Sequence, residues 1–580
     1  LAPPEREDRA RDAAEARTDR LKKGLLALPN LFFRSLFTLG LLYGLLGLVL
    51  ITIVTLGYLT PSLAVVIGVT VAILQFALGP YVMDLSLYFV YKMRWVGKHE
   101  LPDHLREFIQ RVCDDHNMRF PHVGIIDDSA PTAFTYGHHP NNARVVFSRG
   151  ILELLEPEEV EAVIAHELGH ARNWDMALMT LANLVPLLLY YVYSIATRSG
   201  DRGKDRAYAW AVAAGAYILY IVAEYLVLWF SRTREYFADR FAGKVTNNPN
   251  AMARALVKIA YGLAAQAQKE KSKDGKTEKR ANTAADAFGS FNISDRGAAT
   301  ALVMGAGTGD TTGPDVERVK GAMQWDLWNP WASWFEIHST HPLTAKRIRY
   351  LSDQAAAAGQ DPWVVFDRAK PESYWDDFLV DLLVTILPAL GLILGAGVAF
   401  AIGWSMERPL AAIALAAAGL ALSLAGIGSL IKTWFSYRTD YFPHLTVAAL
   451  LHKVKVSGVR PVPVTLSGTI IGKGVPGLIW SEDFVLRDPT GIIFLDYRQP
   501  LGIWSWLFGL FRAERYQGKQ VRVHGWFRRA PVPYLEIKYL EVIDGSERPR
   551  NCYTYHARLG VAVLLAAGGL IVFILGLIGA

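Results

Sequence analysis

The chain has 580 residues, 52% of them hydrophobic, with a mean hydropathy of +0.20 and a formal net charge of +6. That is too apolar for an ordinary soluble protein of this length, and long apolar runs account for it. The two cysteines, Cys113 and Cys552, exclude a disulfide framework and a thiolate metal site, which suits a reducing compartment.

The expected fold is mostly α: a polytopic helical membrane protein of about seven spans, with a polar domain built from the segments between them and a small C-terminal β-barrel. In chain order, residues 1–30 form a charged tail, with seven basic residues from Arg6 to Lys23. Residues 31–90 form a transmembrane hairpin, with spans at about 31–58 and 62–90. The first lies too deep in the chain, and runs too long, for a cleaved signal peptide. The chain does not begin with Met, so its own N-terminus is expected further upstream. Residues 91–175 begin a polar domain, and 176–230 form a second hairpin with spans at 176–197 and 207–230. The polar domain resumes over 231–377, with a mobile insertion at 265–315. Spans at 378–404 and 409–433 form a third hairpin within 378–433, and a last span covers 558–579.

Within residues 91–175 stands His166-Glu167-Leu168-Gly169-His170. On a helix, histidines four apart lie one turn apart on one face, where two imidazoles can chelate one zinc ion. The glutamate between them can activate a water for peptide hydrolysis. Pro157 suits a first helical position, and Glu158, Glu159 and Glu161 load the first turn with negative charge.

A catalytic zinc takes a third protein ligand and keeps one open position. Glu235 in the segment Ser231–Asp239 is the best candidate. Asp239, one turn on and facing the same way, can accept the other ring N–H of a ligating histidine and fix its tautomer. Farther on, Trp325, Trp328, Trp331, Trp334 and Phe335 cluster ahead of a patch at 339–347. The cluster reads equally as an interfacial belt, a substrate groove or core packing. In the patch, the His341 imidazole and the Arg347 guanidinium are suitable donors for a tetrahedral oxyanion.

Residues 441–556 have a different texture. Val462–Ile471, Phe484–Leu486, Gly491–Tyr497, Gln520–Phe527 and Tyr534–Ile543 alternate like strands, and Asp488 to Gly491 reads as a turn. Five short strands resemble an OB-fold barrel. The region carries 15 Lys and Arg against 9 Asp and Glu, and its aromatics Trp504, Trp506, Phe508 and Phe511 gather in one apolar loop. That loop reads as dipping into the membrane or docking on the spans. Nucleic acid is an unlikely partner, and a protein partner at this domain is the expectation.

The motif, the segment 231–239 and the patch 339–347 together resemble, in order, a family of membrane-bound zinc endopeptidases. It includes the HtpX-type heat-shock proteases and the CAAX prenyl endopeptidases, and the resemblance covers roughly residues 30–355. It implies one zinc per chain held by His166, His170 and Glu235, with Glu167 as general base. It also implies that residues 91–175 and 231–377 form a cytosolic zincin-like protease domain, with Asp239 behind a ligand and His341 and Arg347 near the oxyanion. In the family an Asn-Ala-Phe edge strand pairs with the substrate backbone. The counterpart here is Thr132-Ala133-Phe134, where Thr replaces the Asn and its side-chain contact.

Charge sets the topology. Lys92, Arg94 and Lys98 follow span two, Arg232 and Arg234 follow span four, and Arg438 follows span six. The positive-inside rule then places the N-terminus, the active site and the β domain in the cytoplasm of a multi-pass cell-membrane protein. The connection 198–206, with four basic residues, dissents, but alternation brings the motif, Glu235 and His341 into one compartment. Both ligand segments would lie within about 10 Å of the bilayer at 1.5 Å per helical residue. The expected substrates are therefore membrane proteins or membrane-tethered peptides. The alternatives are a prenyl-peptide protease, or a non-catalytic scaffold recruiting partners through the β domain.

Overall fold

Apolar runs become long helices and alternating runs become strands in the computed structural model. It describes residues 61–128, 131–198, 204–269, 316–366, 372–406, 408–437, 441–473, 483–530 and 532–578, with 41, 45, 48, 49 and 52. The N-terminal tail, most of the first expected span and nearly all of the expected insertion lie outside these residues. The chain divides into two units, one of residues 1–299 with 334–366 and the other of residues 300–333 with 367–580.

The first unit opens with α1 (Pro61–Tyr91), which coincides with the second expected span. Then come β1 (Arg94–Val96), α2 (Asp103–Asp115), β2 (His122–Ile126), β3 (Ala133–Gly137), β4 (Ala143–Ser148) and α3 (Arg149–Leu154). The strands form one sheet in the order β1-β2-β4-β3, with β2 and β4 parallel and β3 at an edge. Leu87 of α1 packs with Met93, Ile126, Phe134, Tyr136 and Val146. Asp84, an acidic residue within the apolar α1, is paired: it accepts from the Tyr136 hydroxyl at 2.7 Å and from Arg144 Nε at 3.0 Å. A carboxylate in an apolar helix is thereby satisfied by the sheet beneath it.

Four helices follow: α4 (Pro157–Arg172), α5 (Asp175–Arg198), α6 (Lys204–Val245) and α7 (Pro249–Lys269). Ala182, Val185 and Leu189 of α5 pack against Ala223, Val227 and Phe230 of α6. The 42 residues of α6 extend about 63 Å at 1.5 Å each, twice the thickness of a bilayer's hydrocarbon core. One unbroken helix therefore carries span four and then Glu235 beyond it. Glu224 of this helix has Tyr220 beside it, one turn earlier on the same helix.

Next come α8 (Val316–Trp328) and α9 (Pro330–Ile337), the former and the start of the latter in the second unit. The chain then returns to the first unit for α10 (Thr344–Ala357). The tryptophan cluster divides between core and surface. Trp325 and Trp331 are buried, with Trp325 Nε1 donating to the Val456 carbonyl at 2.8 Å, while Trp334 is exposed.

The second unit continues with α11 (Trp375–Ser405), α12 (Leu410–Ser436) and the short α13 (Val447–Leu451). Its barrel strands are β5 (Val462–Lys473), β6 (Phe484–Asp488) and β7 (Gly491–Asp496), then β8 (Gln520–Ala530) and β9 (Val532–Val542) after helix α14 (Gly502–Phe511). The two-residue β10 (Arg550–Asn551) joins β9, and α15 (Thr554–Ile578) follows. Strand order β9-β7-β6-β5-β8 closes through β8–β9 pairing, which makes a five-stranded barrel. All five expected strands appear, and Asp488 Oδ1 accepts from the Thr490 and Gly491 amides at the predicted turn. The expected apolar loop is instead helical, as α14. Asp381 of α11 is paired like Asp84, accepting from Ser457 Oγ at 2.7 Å and Arg460 Nε at 2.9 Å.

Five described helices are long and apolar enough to cross a membrane: Asp175–Ser194, Ala207–Val245, Trp375–Ser405, Leu410–Ser436 and Thr554–Ile578. The last three pack through small residues. A Cβ on Gly419 or Gly426 of α12 would come within 2.2 or 2.3 Å of backbone nitrogens of α15.

Candidate active site

The motif helix α4 begins as its sequence dictates. Pro157 takes the first helical position, and Glu156 and Glu159 cap reciprocally, the Glu156 amide donating to Glu159 Oε2 at 3.0 Å. Glu159 is also clamped by Arg254 Nε at 3.2 Å and Lys258 Nζ at 2.8 Å from α7. Gly169 lets α4 approach α6, since a Cβ there would meet Phe241 at 3.1 Å and the Ala238 Cα at 3.3 Å. That close approach sets the histidines of one helix against the carboxylates of the other.

His166, His170 and Glu235 converge, with ligand atoms all within 4.8 Å of one another. The two Nε2 atoms stand 3.2 Å apart, and a Glu235 oxygen lies 3.5 Å from each. Each histidine is held from behind. His166 Nδ1 is 3.0 Å from Asp239 Oδ1, and His170 Nδ1 is 2.7 Å from Asp175 Oδ2. Carboxylates at both Nδ1 atoms favour a proton there and leave both Nε2 lone pairs turned inward. Two such lone pairs repel unless a cation lies between them. A Glu235 carboxylate oxygen lies in reach of both, so a third donor faces the same point. The donor set of two imidazoles and a carboxylate fits zinc. The site also attracts positive charge as protons: burial disfavours the His166 imidazolium, yet the Asp239 and Glu235 carboxylates push its pKa up to about 9.

Glu167 is 3% exposed, and its carbonyl accepts from the Thr135 hydroxyl at 3.2 Å, which lays β3 alongside the motif helix. His341 is buried, with Nδ1 3.3 Å from Glu235 Oε2 and Nε2 without a hydrogen-bond partner among the described residues. Arg347 is buried too. It donates to Asp239 through Nε at 2.8 Å and Nη2 at 2.7 Å, and Nη1 lies 3.2 Å from Glu235 Oε2. These carboxylates raise its already high pKa against the opposing effect of burial.

Thr132 exchanges hydrogen bonds with Ser148, at 2.9 Å to its Oγ and 2.9 Å from its amide. The alternation of an antiparallel pair then turns the backbone groups of Ala133 and Thr135 away from β4, toward the side of β3 that no described strand occupies. The side chains of Ala133 and Phe134 are buried.

Two residues that the sequence did not single out complete the site. Asp175 sits five residues beyond His170, past the positive φ of 60° at Trp174 that ends the motif helix and turns the chain into α5. Arg232 donates through Nη1 to the carbonyls of Glu336, Ile337 and Ser339 at 2.8, 3.0 and 2.7 Å, gathering the turn ahead of His341. The double basic pattern of Arg232 and Arg234 was the available signal.

The segment that carries this site matches known proteins. The model of peptidase family M48 matches residues 101–355. A protease HtpX homolog of Methanothermobacter thermautotrophicus is 33% identical over 234 residues, which cover 40% of this chain and 86% of the relative. Protease HtpX homolog 1 of Streptomyces coelicolor is 32% identical over 239 residues, 40% of this chain and 74% of the relative. Other relatives are spanned over little more than half their length, as with 57% of protease HtpX homolog 2 of Methanosarcina acetivorans. Among solved structures, the S. mikatae Ste24p crystal structure is 18% identical with a TM-score of 0.30, covering 55% of this chain and 64% of that one. With five candidate spans and a matching protease segment, this multi-pass membrane protein belongs to peptidase family M48.

Proposed function

We propose that the protein is an integral-membrane zinc-dependent endopeptidase. It cleaves membrane or membrane-tethered proteins near the cytoplasmic face, in quality control or processing. The observation that carries this reading is the convergence of two Nε2 lone pairs and the Glu235 carboxylate beside Glu167. When bound, zinc supplies the Lewis acidity that polarises a peptide carbonyl. The chain's own residues do the rest. Asp239 and Asp175 fix the imidazoles, and Glu167 takes a proton from the attacking water and passes it to the leaving amine. His341 Nε2, buried without a partner among the described residues, is a donor for the oxyanion. Arg347 acts by positioning, because its guanidinium is engaged by Asp239 and Glu235. The outward backbone of Ala133 and Thr135 pairs with an extended substrate. Purified protein should hold one zinc per chain and cleave an unstable membrane protein, and chelation should abolish both. Unchanged cleavage after complete metal removal would sink the reading.

The cytoplasmic placement rests on the basic residues that flank the spans. A cysteine replacing the exposed Arg515 of the β domain should be shielded from an impermeant thiol reagent in intact cells. Labelling there from outside would invert the topology. The barrel's order, first-second-third-fifth-fourth and back to the first, with its parallel pairing between third and fifth, supports an OB-like unit. We read it as structural or partner-binding.

A further inference from the structure

The helix α14 is built with two unlike faces. Ser505 and Phe508 point inward: Ser505 Oγ accepts from the Gln499 amide at 2.9 Å, and the Phe508 ring stacks on Tyr497 at 4.1 Å between centroids. Facing outward, Ile503, Trp504 and Trp506 are 60%, 59% and 48% exposed. At 100° per residue the two sets lie on opposite sides of the helix. Such a surface on a soluble barrel would be a liability.

Its location says what covers it. The chain leading into α14 is bonded to the start of the last span. Thr554, the first residue of α15, donates through Oγ1 to the Arg498 carbonyl at 2.9 Å, and Gln499 Nε2 donates to the Asn551 carbonyl at 2.9 Å. The outward face of α14 therefore begins only a few residues from where an apolar, 25-residue helix enters the membrane. Exposed Arg512 and Arg515 follow the helix directly, and exposed Tyr553 precedes α15. Tryptophan on one face, arginine at the end and proximity to a span are the composition of a helix lying in a bilayer interface.

We propose that α14 is a monotopic anchor, its Ile503, Trp504 and Trp506 face inserted into the leaflet that α15 enters. The barrel would thus be held to the membrane by a third attachment, besides the spans α12 and α15 on either side of it. The partner is lipid: acyl chains for the aromatic face and anionic headgroups for the two arginines.

The test uses the full chain with Cys113 and Cys552 replaced by alanine. It is reconstituted into vesicles of phosphatidylcholine and phosphatidylglycerol. An NBD fluorophore is placed at Trp504→Cys or Trp506→Cys, and at Glu541→Cys on the barrel as a control. Lipids carrying a shallow doxyl group should quench the two α14 labels at least twofold more than the control, with blue-shifted emission. Equal quenching at all three positions would overturn the proposal. So would blue-shifted emission without lipid quenching, which would mean that protein, such as a second copy of the chain, covers the face.

Discussion

Replacing Glu167 by Gln should leave one zinc per chain and remove nearly all hydrolysis. Glu167 is 3% exposed, and among the described residues its carboxylate is committed to no ion pair, as the proposed general base requires. The amide is almost isosteric, so packing beside His166 survives, but it cannot accept a proton from water. A positioned acid–base group contributes about 10²–10⁴-fold, so kcat should fall by that factor with metal content unchanged. His166→Ala, His170→Ala and Glu235→Ala should lose the metal and the activity together. A Gln variant with full activity would remove Glu167 from the mechanism. A Gln variant that lost its zinc would instead make it part of the metal site.

The pieces of this site differ in how far the sequence alone exposes them. His166 and His170 are visible because a spacing of four has one meaning on a helix. Glu235 and Asp239 share that spacing, and their helix proved continuous with span four. Strands β5 to β9 were visible because a period of two, kept over several residues, is a local signal that a helix does not produce. Asp175 was not visible. It reaches His170 across a turn with a left-handed residue at Trp174, and no periodicity encodes that path. Nor could local pattern show that Trp325 closes on the Val456 carbonyl, 131 residues away. The helix α14, where a loop was expected at 500–511, left no stripe to read because only Ser505 and Phe508 turn inward in an otherwise apolar segment. Arg347 was legible as a donor in the 339–347 patch, whereas the carboxylates that surround it, Asp239 and Glu235, come from another helix and only packing brings them to it.

Arg347→Ala should therefore weaken the protease unit itself and act on more than turnover. The guanidinium stands between two buried carboxylates, bidentate on Asp239 at 2.7 and 2.8 Å and 3.2 Å from Glu235. Removing one partner of a buried pair leaves charge without compensation and costs about 3–5 kcal/mol. Asp239, freed from Arg347, would no longer be held in place against His166 Nδ1, 3.0 Å away, so metal affinity should fall as well. Lysine restores the charge but not the fork, and should recover only part of the loss. Asp175→Asn is the useful contrast. It removes one support from behind His170 and should cost about 10–100-fold in zinc affinity while leaving the Arg347 pair intact. Unfolding of the metal-free variants in detergent separates the two roles. If Arg347 served only the oxyanion, Arg347→Ala would lower kcat at unchanged stability and zinc affinity. A positioning role demands that stability and affinity fall together, and that the alanine variant remain destabilised when no substrate is present.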